Sequence, residues 1–147
     1  MLSYKHGYHA GNQADVLKHI CLIQAYKSLK RHHNSISYID THAGSGDYNF
    51  KSDYMSKNKE YENGISKLEN YKYENQSIKF YLKVLRNINN SKKMAFYPGS
   101  PSIMSHLSDS SDKLLFYELH NNEVQLLRKH LAKQINSKVY NKEGFEF

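Results

Sequence analysis

Residues 36–46 read Ile36-Ser37-Tyr38-Ile39-Asp40-Thr41-His42-Ala43-Gly44-Ser45-Gly46, and this stretch decides the fold. A short apolar run with β-branched content has the length of a buried parallel strand. It closes on an acid, Asp40, and then on two glycines, Gly44 and Gly46, which let the exit loop turn tightly beside a ligand. Strand, acid and glycine turn in that order open a Rossmann-like pocket for a nucleotide or S-adenosylmethionine (SAM). A bare G-x-G is common between strands and helices, so the weight rests on its neighbours.

Upstream, Asn12 followed by Asp15 reads as a helix start with a variant capping box. Val16, Leu17, Ile20, Ile23 and Leu29 then recur at helical spacing, and the helix fades at Lys30-Arg31-His32-His33. Cys21 lies inside this run and reads as a buried packing residue. Downstream, Leu114-Leu115-Phe116-Tyr117-Glu118 is a second strand ending on an acid. Asn121 and Asn122 can cap a helix with Val124, Leu127 and Leu131 inward and Arg128, Lys129 and Lys133 outward. Val139-Tyr140 begins a third strand that runs into Glu143-Gly144.

Residues 50–96 differ in character, being rich in Lys, Asn, Ser, Tyr and Glu. They carry two amphipathic stretches, one with Tyr61, Ile65 and Leu68, the other with Ile78, Tyr81, Leu82, Leu85 and Ile88. The predicted organisation is therefore one α/β domain in two pieces, residues 1–49 and 97–147, with a helical insertion over 50–96. Tyr97-Pro98-Gly99-Ser100-Pro101 punctuates the end of the insertion, with Ser100 as N-cap and Pro101 as first helical residue.

The 147 residues suffice for one core, and 39% hydrophobic content with 13 Tyr and 6 Phe argues against disorder. A net charge of +7 favours a polyanionic partner without separating RNA from DNA or an acidic membrane. No apolar stretch approaches a membrane span, and the N-terminus has no signal-peptide core. A single cysteine excludes an internal disulfide and fits a reducing cytosol.

Glu118, at the end of the second strand, is placed to accept hydrogen bonds from ribose hydroxyls, and a solvated strand-end acid is its bland alternative. It lies farther from the glycine loop than the usual spacing, an excess the insertion explains. Ser100 and the amides of the helix it opens suit a carboxylate such as the methionine end of SAM. Glu143 and Gly144 suit the adenine edge. Tyr4, His6, His9, Lys18 and His19 crowd into the N-terminal segment. They suit phosphate and base contact, with Lys18 on a phosphate and Tyr4 stacked on a base, or else a solvated surface. A zinc site is disfavoured, because no closed four-ligand pattern accompanies the histidines.

The segment from Met1-Leu2-Ser3-Tyr4-Lys5-His6-Gly7-Tyr8-His9 to Asp15-Val16-Leu17-Lys18-His19 resembles the N-terminus of the RlmJ family of bacterial 23S ribosomal RNA adenine-N6 methyltransferases. Asp40 to Gly46, Tyr97 to Pro101 and Glu118-Leu119-His120 carry the same resemblance, which runs from residue 1 to about 145. It implies a partial Rossmann-like, SAM-dependent methyltransferase fold, with strands 3-2-1 and a small helical insertion, acting in the cytoplasm on 23S rRNA. By motif match it implies SAM contacts at His19, His42, Ser100, Glu118, Glu143 and Gly144, and RNA contacts at Tyr4, His6 and Lys18. No metal and no membrane partner are implied. The family carries Asp where Glu143 stands, and the extra methylene would push the acid into the adenine site.

The family's catalytic motif, Asp-Pro-Pro-Tyr, is absent, since the two prolines, Pro98 and Pro101, are not adjacent. No catalytic residue is therefore assigned. The expectation is an N-terminal portion of the enzyme with an open edge on its first strand, from a frameshifted or a split gene, and either inactive alone or completed in trans by a separately encoded C-terminal half as a further partner. A non-catalytic basic RNA-binding module and a small-molecule binder using the glycine loop are the other readings.

Overall fold

The computed structural model describes residues 4–146, so the Met1-Leu2-Ser3 part of the N-terminal motif lies outside the described residues. After a 3-10 turn at His6–Tyr8 comes α1 (Gln13–Lys30), whose N-cap Asn12 accepts the amide of Asp15 at 2.9 Å. Lys27 and Lys30 occupy its last turn, where the helix dipole favours cations. The helix leads into β1 (Ser37–Asp40) and, past the glycine loop, β2 (Asp47–Asn49).

Three helices follow: α2 (Asp53–Asn58), α3 (Ile65–Glu69) and α4 (Gln76–Asn89). Next come β3 (Phe96–Pro98), α5 (Ser100–Leu107), β4 (Lys113–Tyr117), α6 (Asn121–His130) and β5 (Ser137–Tyr140). The main sheet is parallel in the order β1-β4-β5, with Tyr38 opposite Leu114 and Phe116 opposite Val139. This is the predicted set of three strands in the predicted order.

Strand alternation puts Leu114 and Phe116 on one face, where they pack with Tyr26 of α1, Met104 of α5 and Leu127 and Leu131 of α6. The opposite face is less covered, and Ile39 there is 46% exposed. Among the described residues β1 pairs only with β4, so its outer edge is open.

A second core joins Val16 and Ile23 of α1 to Ile65, Tyr81, Leu82 and Leu85. The α4 face is the predicted one, and Asn75 caps it by accepting the amides of Ser77 and Ile78. The first amphipathic stretch is broken instead of continuous: α2 ends on Lys59 in the left-handed region, and a 3-10 turn at Glu60–Asn63 precedes α3. The amide of Ile65 donates to the Gly11 carbonyl at 2.9 Å, which holds this turn against the start of α1.

Several local readings need correction. An antiparallel ribbon pairs Asp47–Asn49 with Phe96–Pro98 and brings the two ends of segment 50–96 together, where the sequence suggests only turns. Gly99, not Ser100, is the N-cap of α5, and His120 takes that place for α6, with Asn121 already helical. Leu17 and Leu29 are exposed, and so is Cys21. The buried stripe of α1 runs instead through Asp15, Val16, His19, Ile23 and Tyr26, a partly polar set that hydrophobic spacing does not detect.

Candidate functional site

The C-terminal ends of β1, β4 and β5 open onto one cleft of about 520 Å³. That volume is ordinary for a small-molecule site, for which roughly 300–1,000 Å³ is typical. The β1 exit supplies Thr41 to Gly44, β4 supplies Glu118, β5 runs on to Glu143 and Gly144, and α5 begins at Ser100. From the other side α1 contributes Asp15, Lys18 and His19, and the segment before it contributes Tyr4 and His6. The nine residues that the resemblance assigns to SAM or RNA contact all line this cleft, whereas His9 and Asp40 do not.

Glu118 is 8% exposed. Its two carboxylate oxygens each accept one backbone amide, Gly44 at 2.8 Å and His120 at 2.8 Å. The acid is thus a tie between the glycine loop and the β4 end, with a lone pair left on each oxygen for a ligand hydroxyl. Gly44 has φ +66°, and a Cβ there would come 2.0 Å from the buried Tyr48 hydroxyl. Gly144 packs so closely on β1's exit that a Cβ would lie 2.3 Å from the Thr41 carbonyl oxygen.

Asp40 organises the β1 exit and does not itself line the cleft. It accepts the hydroxyls of Ser100 and Tyr38 and the amide of His42. The Ser100 hydroxyl is thereby committed to Asp40 instead of capping its helix. His42 is exposed, hydrogen-bonded to Thr41 at 2.9 Å and set edge-on to Phe145. Glu143 accepts the amide of Phe145 at 2.7 Å.

The α1 side of the cleft centres on Asp15, which the sequence presents only as a helix-start residue. It is 1% exposed, and its Oδ2 accepts from His6 Nε2 at 2.9 Å and from the Gly11 amide at 3.0 Å. Its Oδ1 is buried without a hydrogen bond, 3.5 Å from Lys18 Nζ and 3.7 Å from His19 Nε2. Burial alone would raise this carboxyl. The His6 hydrogen bond, the potentials of His19 and His6 and the Gly11 amide outweigh it and hold the group well below the usual carboxylate range.

His19 is 4% exposed and hydrogen-bonded through Nδ1 to the Tyr97 hydroxyl at 2.7 Å, which in turn meets the Tyr81 hydroxyl at 2.8 Å. Burial pushes His19 down to about 4 despite the pull of Asp15, so it is neutral near pH 7. Tyr4 bonds His6 Nδ1 at 2.9 Å and stacks on His9. Burial, then the nearby Asp15 and Glu60 charges, raises its hydroxyl above the usual tyrosine value. His9 and Asn12 both bond Glu60, tying this segment to the 3-10 turn before α3.

Asp15, Tyr48, Glu123 and Lys142 are among the cleft-lining residues that sequence reasoning did not assign to the site. The signal for Asp15 was a carboxylate one turn before a histidine on the same helix as Lys18, which helix-start logic absorbed. Among the described residues no group of three or more His, Cys, Asp or Glu converges to hold a metal ion. No helix among them is long and apolar enough to cross a membrane. The residues present do fit SAM: a glycine loop free of side chains, the Glu118 carboxylate with a lone pair left on each oxygen, and the N-terminal amides of α5 at the cleft wall.

A parallel sheet whose strand ends, glycine loop and helix start share one cleft defines a Rossmann-like methyltransferase fold. A family model described as ribosomal RNA large subunit methyltransferase D, RlmJ, matches residues 33–147, and the chain belongs to that family. It is 37% identical over 146 residues to ribosomal RNA large subunit methyltransferase J of Escherichia coli K12, and 38% identical over 147 residues to the Haemophilus influenzae protein of the same name. Each comparison covers 99% of this chain and 52% of the relative, so the chain spans about half the length of these relatives. A crystal structure of protein LPL1258 from Legionella pneumophila superposes with a TM-score of 0.78 at 34% identity, covering 92% of this chain and 50% of that one.

Proposed function

We propose that this chain holds SAM in the cleft at the strand ends and offers 23S rRNA an adenine-contact surface beside it, as the cofactor-binding portion of a cytoplasmic adenine-N6 methyltransferase. When bound, SAM supplies a methyl group made electrophilic by its sulfonium. Glu118 takes the ribose hydroxyls on its free lone pairs, and the first backbone amides of α5, beginning at Ser100, take the carboxylate end while the Ser100 hydroxyl holds Asp40. Glu143 and Gly144 meet the adenine edge, His42 covers the open side, and neutral His19 packs beneath. Tyr4, His6 and Lys18 face the RNA, Lys18 as a phosphate contact. Residues 50–96 act as an insertion that braces α1 and the Tyr4–His9 segment.

The observation that supports this reading best is convergence. Nine residues from six separate stretches of the chain line one cleft, on the side of the sheet where such folds bind nucleotides. These 147 residues contain no Asp-Pro-Pro-Tyr, so the group that aims the acceptor amine is not among them. That same observation favours a second reading, a basic RNA-binding module without chemistry.

Thermal melting with and without SAM separates the two, because a ligand bound only by the folded state raises the midpoint. A rise with SAM supports the first reading, and no rise alongside RNA binding supports the second. Binding to a 23S rRNA fragment should fall steeply between about 50 and 200 mM salt.

A further inference from the structure

We propose that Asp15 fixes the hydrogen-bonding polarity of Tyr4, so that Tyr4 Oη faces the cleft as an acceptor for an N–H donor on the bound base. This rests on the reading of the cleft as a nucleobase site and goes beyond it, since it names a positioning residue and the chemistry that residue selects.

The argument follows the protons. A carboxylate only accepts, so the 2.9 Å contact from His6 Nε2 to Asp15 Oδ2 requires the hydrogen to sit on Nε2. In the neutral imidazole this leaves Nδ1 bare. The partner of that nitrogen is the Tyr4 hydroxyl at 2.9 Å, which donates to the neutral ring. With its only hydrogen spent on His6, the phenol oxygen has nothing but lone pairs to offer the cleft.

The surroundings hold this arrangement in place. Asp15 is 1% exposed and also accepts the Gly11 amide, so its carboxylate cannot swing away without stranding a buried donor. The Tyr48 ring sits edge-on to His6 at 5.3 Å between centroids and limits rotation of the imidazole. Tyr4 itself is 59% exposed at the cleft mouth, within reach of a large ligand. An acceptor there favours an exocyclic amine, as on adenine, and disfavours a carbonyl at the same position, because two facing acceptors leave both unsatisfied.

The test uses the full chain with ¹⁵N-labelled histidine, the His6→Gln spectrum assigning the His6 signals. The expected wild-type spectrum near neutral pH shows a protonated Nε2 and an unprotonated Nδ1 on His6, a result that needs no destabilising variant. In Asp15→Asn the Nε2-protonated fraction should drop.

A second arm titrates AMP, which carries the amine, against IMP, which carries a carbonyl in its place. AMP should bind at least about fivefold more tightly, and the ratio should approach one in both Asp15→Asn and Tyr4→Phe. Any of three results overturns the proposal: His6 doubly protonated, His6 protonated on Nδ1, or IMP bound as well as AMP. Failure of both nucleotides to bind counts equally against it. If His6 and the AMP preference are as expected while SAM does not bind, the methyl-transfer reading fails and this one stands.

Discussion

The carboxylate of Glu118 at the end of β4 accepts the backbone amide of Gly44 in the loop after β1, at 2.8 Å. Two neighbouring strand ends are thereby locked together at the floor of the cleft, and the second oxygen fixes the turn into α6 through the His120 amide. Glu118→Gln puts an N–H group against one of these amides, leaving a buried donor facing a donor. The expected loss is about 1–3 kcal/mol in the urea midpoint analysis, with SAM affinity falling at least tenfold. A variant as stable as wild type that binds SAM normally would remove the tie from this account.

Gly44→Ala asks whether the loop's conformation is obligatory. At φ +66° an L-residue is strained, and its Cβ would collide with the Tyr48 hydroxyl in a site where Tyr48 is 6% exposed. Destabilisation of about 1–3 kcal/mol is expected, measured by denaturant unfolding. Adding Tyr48→Phe should recover part of it by removing the colliding atom.

Asp112 joins the elements that carry the sheet. It is 2% exposed and accepts the Tyr26 hydroxyl at 2.8 Å, Lys30 Nζ at 2.9 Å and the Ile36 amide at 2.8 Å. Asp112→Ala should cost about 3 kcal/mol, since it strands buried donors from α1 and from the start of β1. Calorimetric melting should show a lower midpoint without any effect specific to SAM.

His19 gives the fold an acid-side sensitivity. Its folded value lies near 4, below the ordinary 6.5, so between these values the unfolded chain binds the extra proton and stability falls as pH falls. The gap corresponds to on the order of 3 kcal/mol lost by about pH 4. Asp15, held below its usual range, adds a separate loss only as pH drops beneath about 4. Comparing urea midpoints at pH 7.5 and 5, the His19→Gln variant should be less stable at pH 7.5 and show a smaller drop. An unchanged drop in that variant would place the sensitivity elsewhere.

The strands were readable because β-branched and aromatic runs ending on Asp40 and Glu118 carry their signal locally. The α4 face was readable for the same reason, its apolar residues recurring at helical spacing. The ribbon of β2 and β3 was not, because three residues containing Asp47 and Asn49 have little strand preference and pair only after residues 50–96 fold between them. The buried side of α1 was misread at Leu17 and Leu29, since Asp15, His19 and Tyr26 bury polar groups through hydrogen bonds that spacing rules ignore. The site residues came from motif resemblance together with strand-end logic. Asp15 escaped both, because its role depends on a contact with His6 that only the folded chain creates.

The central claim is that the cleft floored by Glu118 and Gly44 holds SAM. Isothermal titration of SAM into the purified chain tests it most directly, with ATP titrated as a control for generic nucleotide binding. The account predicts saturable one-to-one binding of SAM, roughly tenfold or more tighter than ATP, and weakened in Ser100→Ala, where loss of the Ser100–Asp40 hydrogen bond loosens the start of α5 against the β1 exit. No detectable SAM binding by the folded chain, or equal binding of ATP, would contradict it.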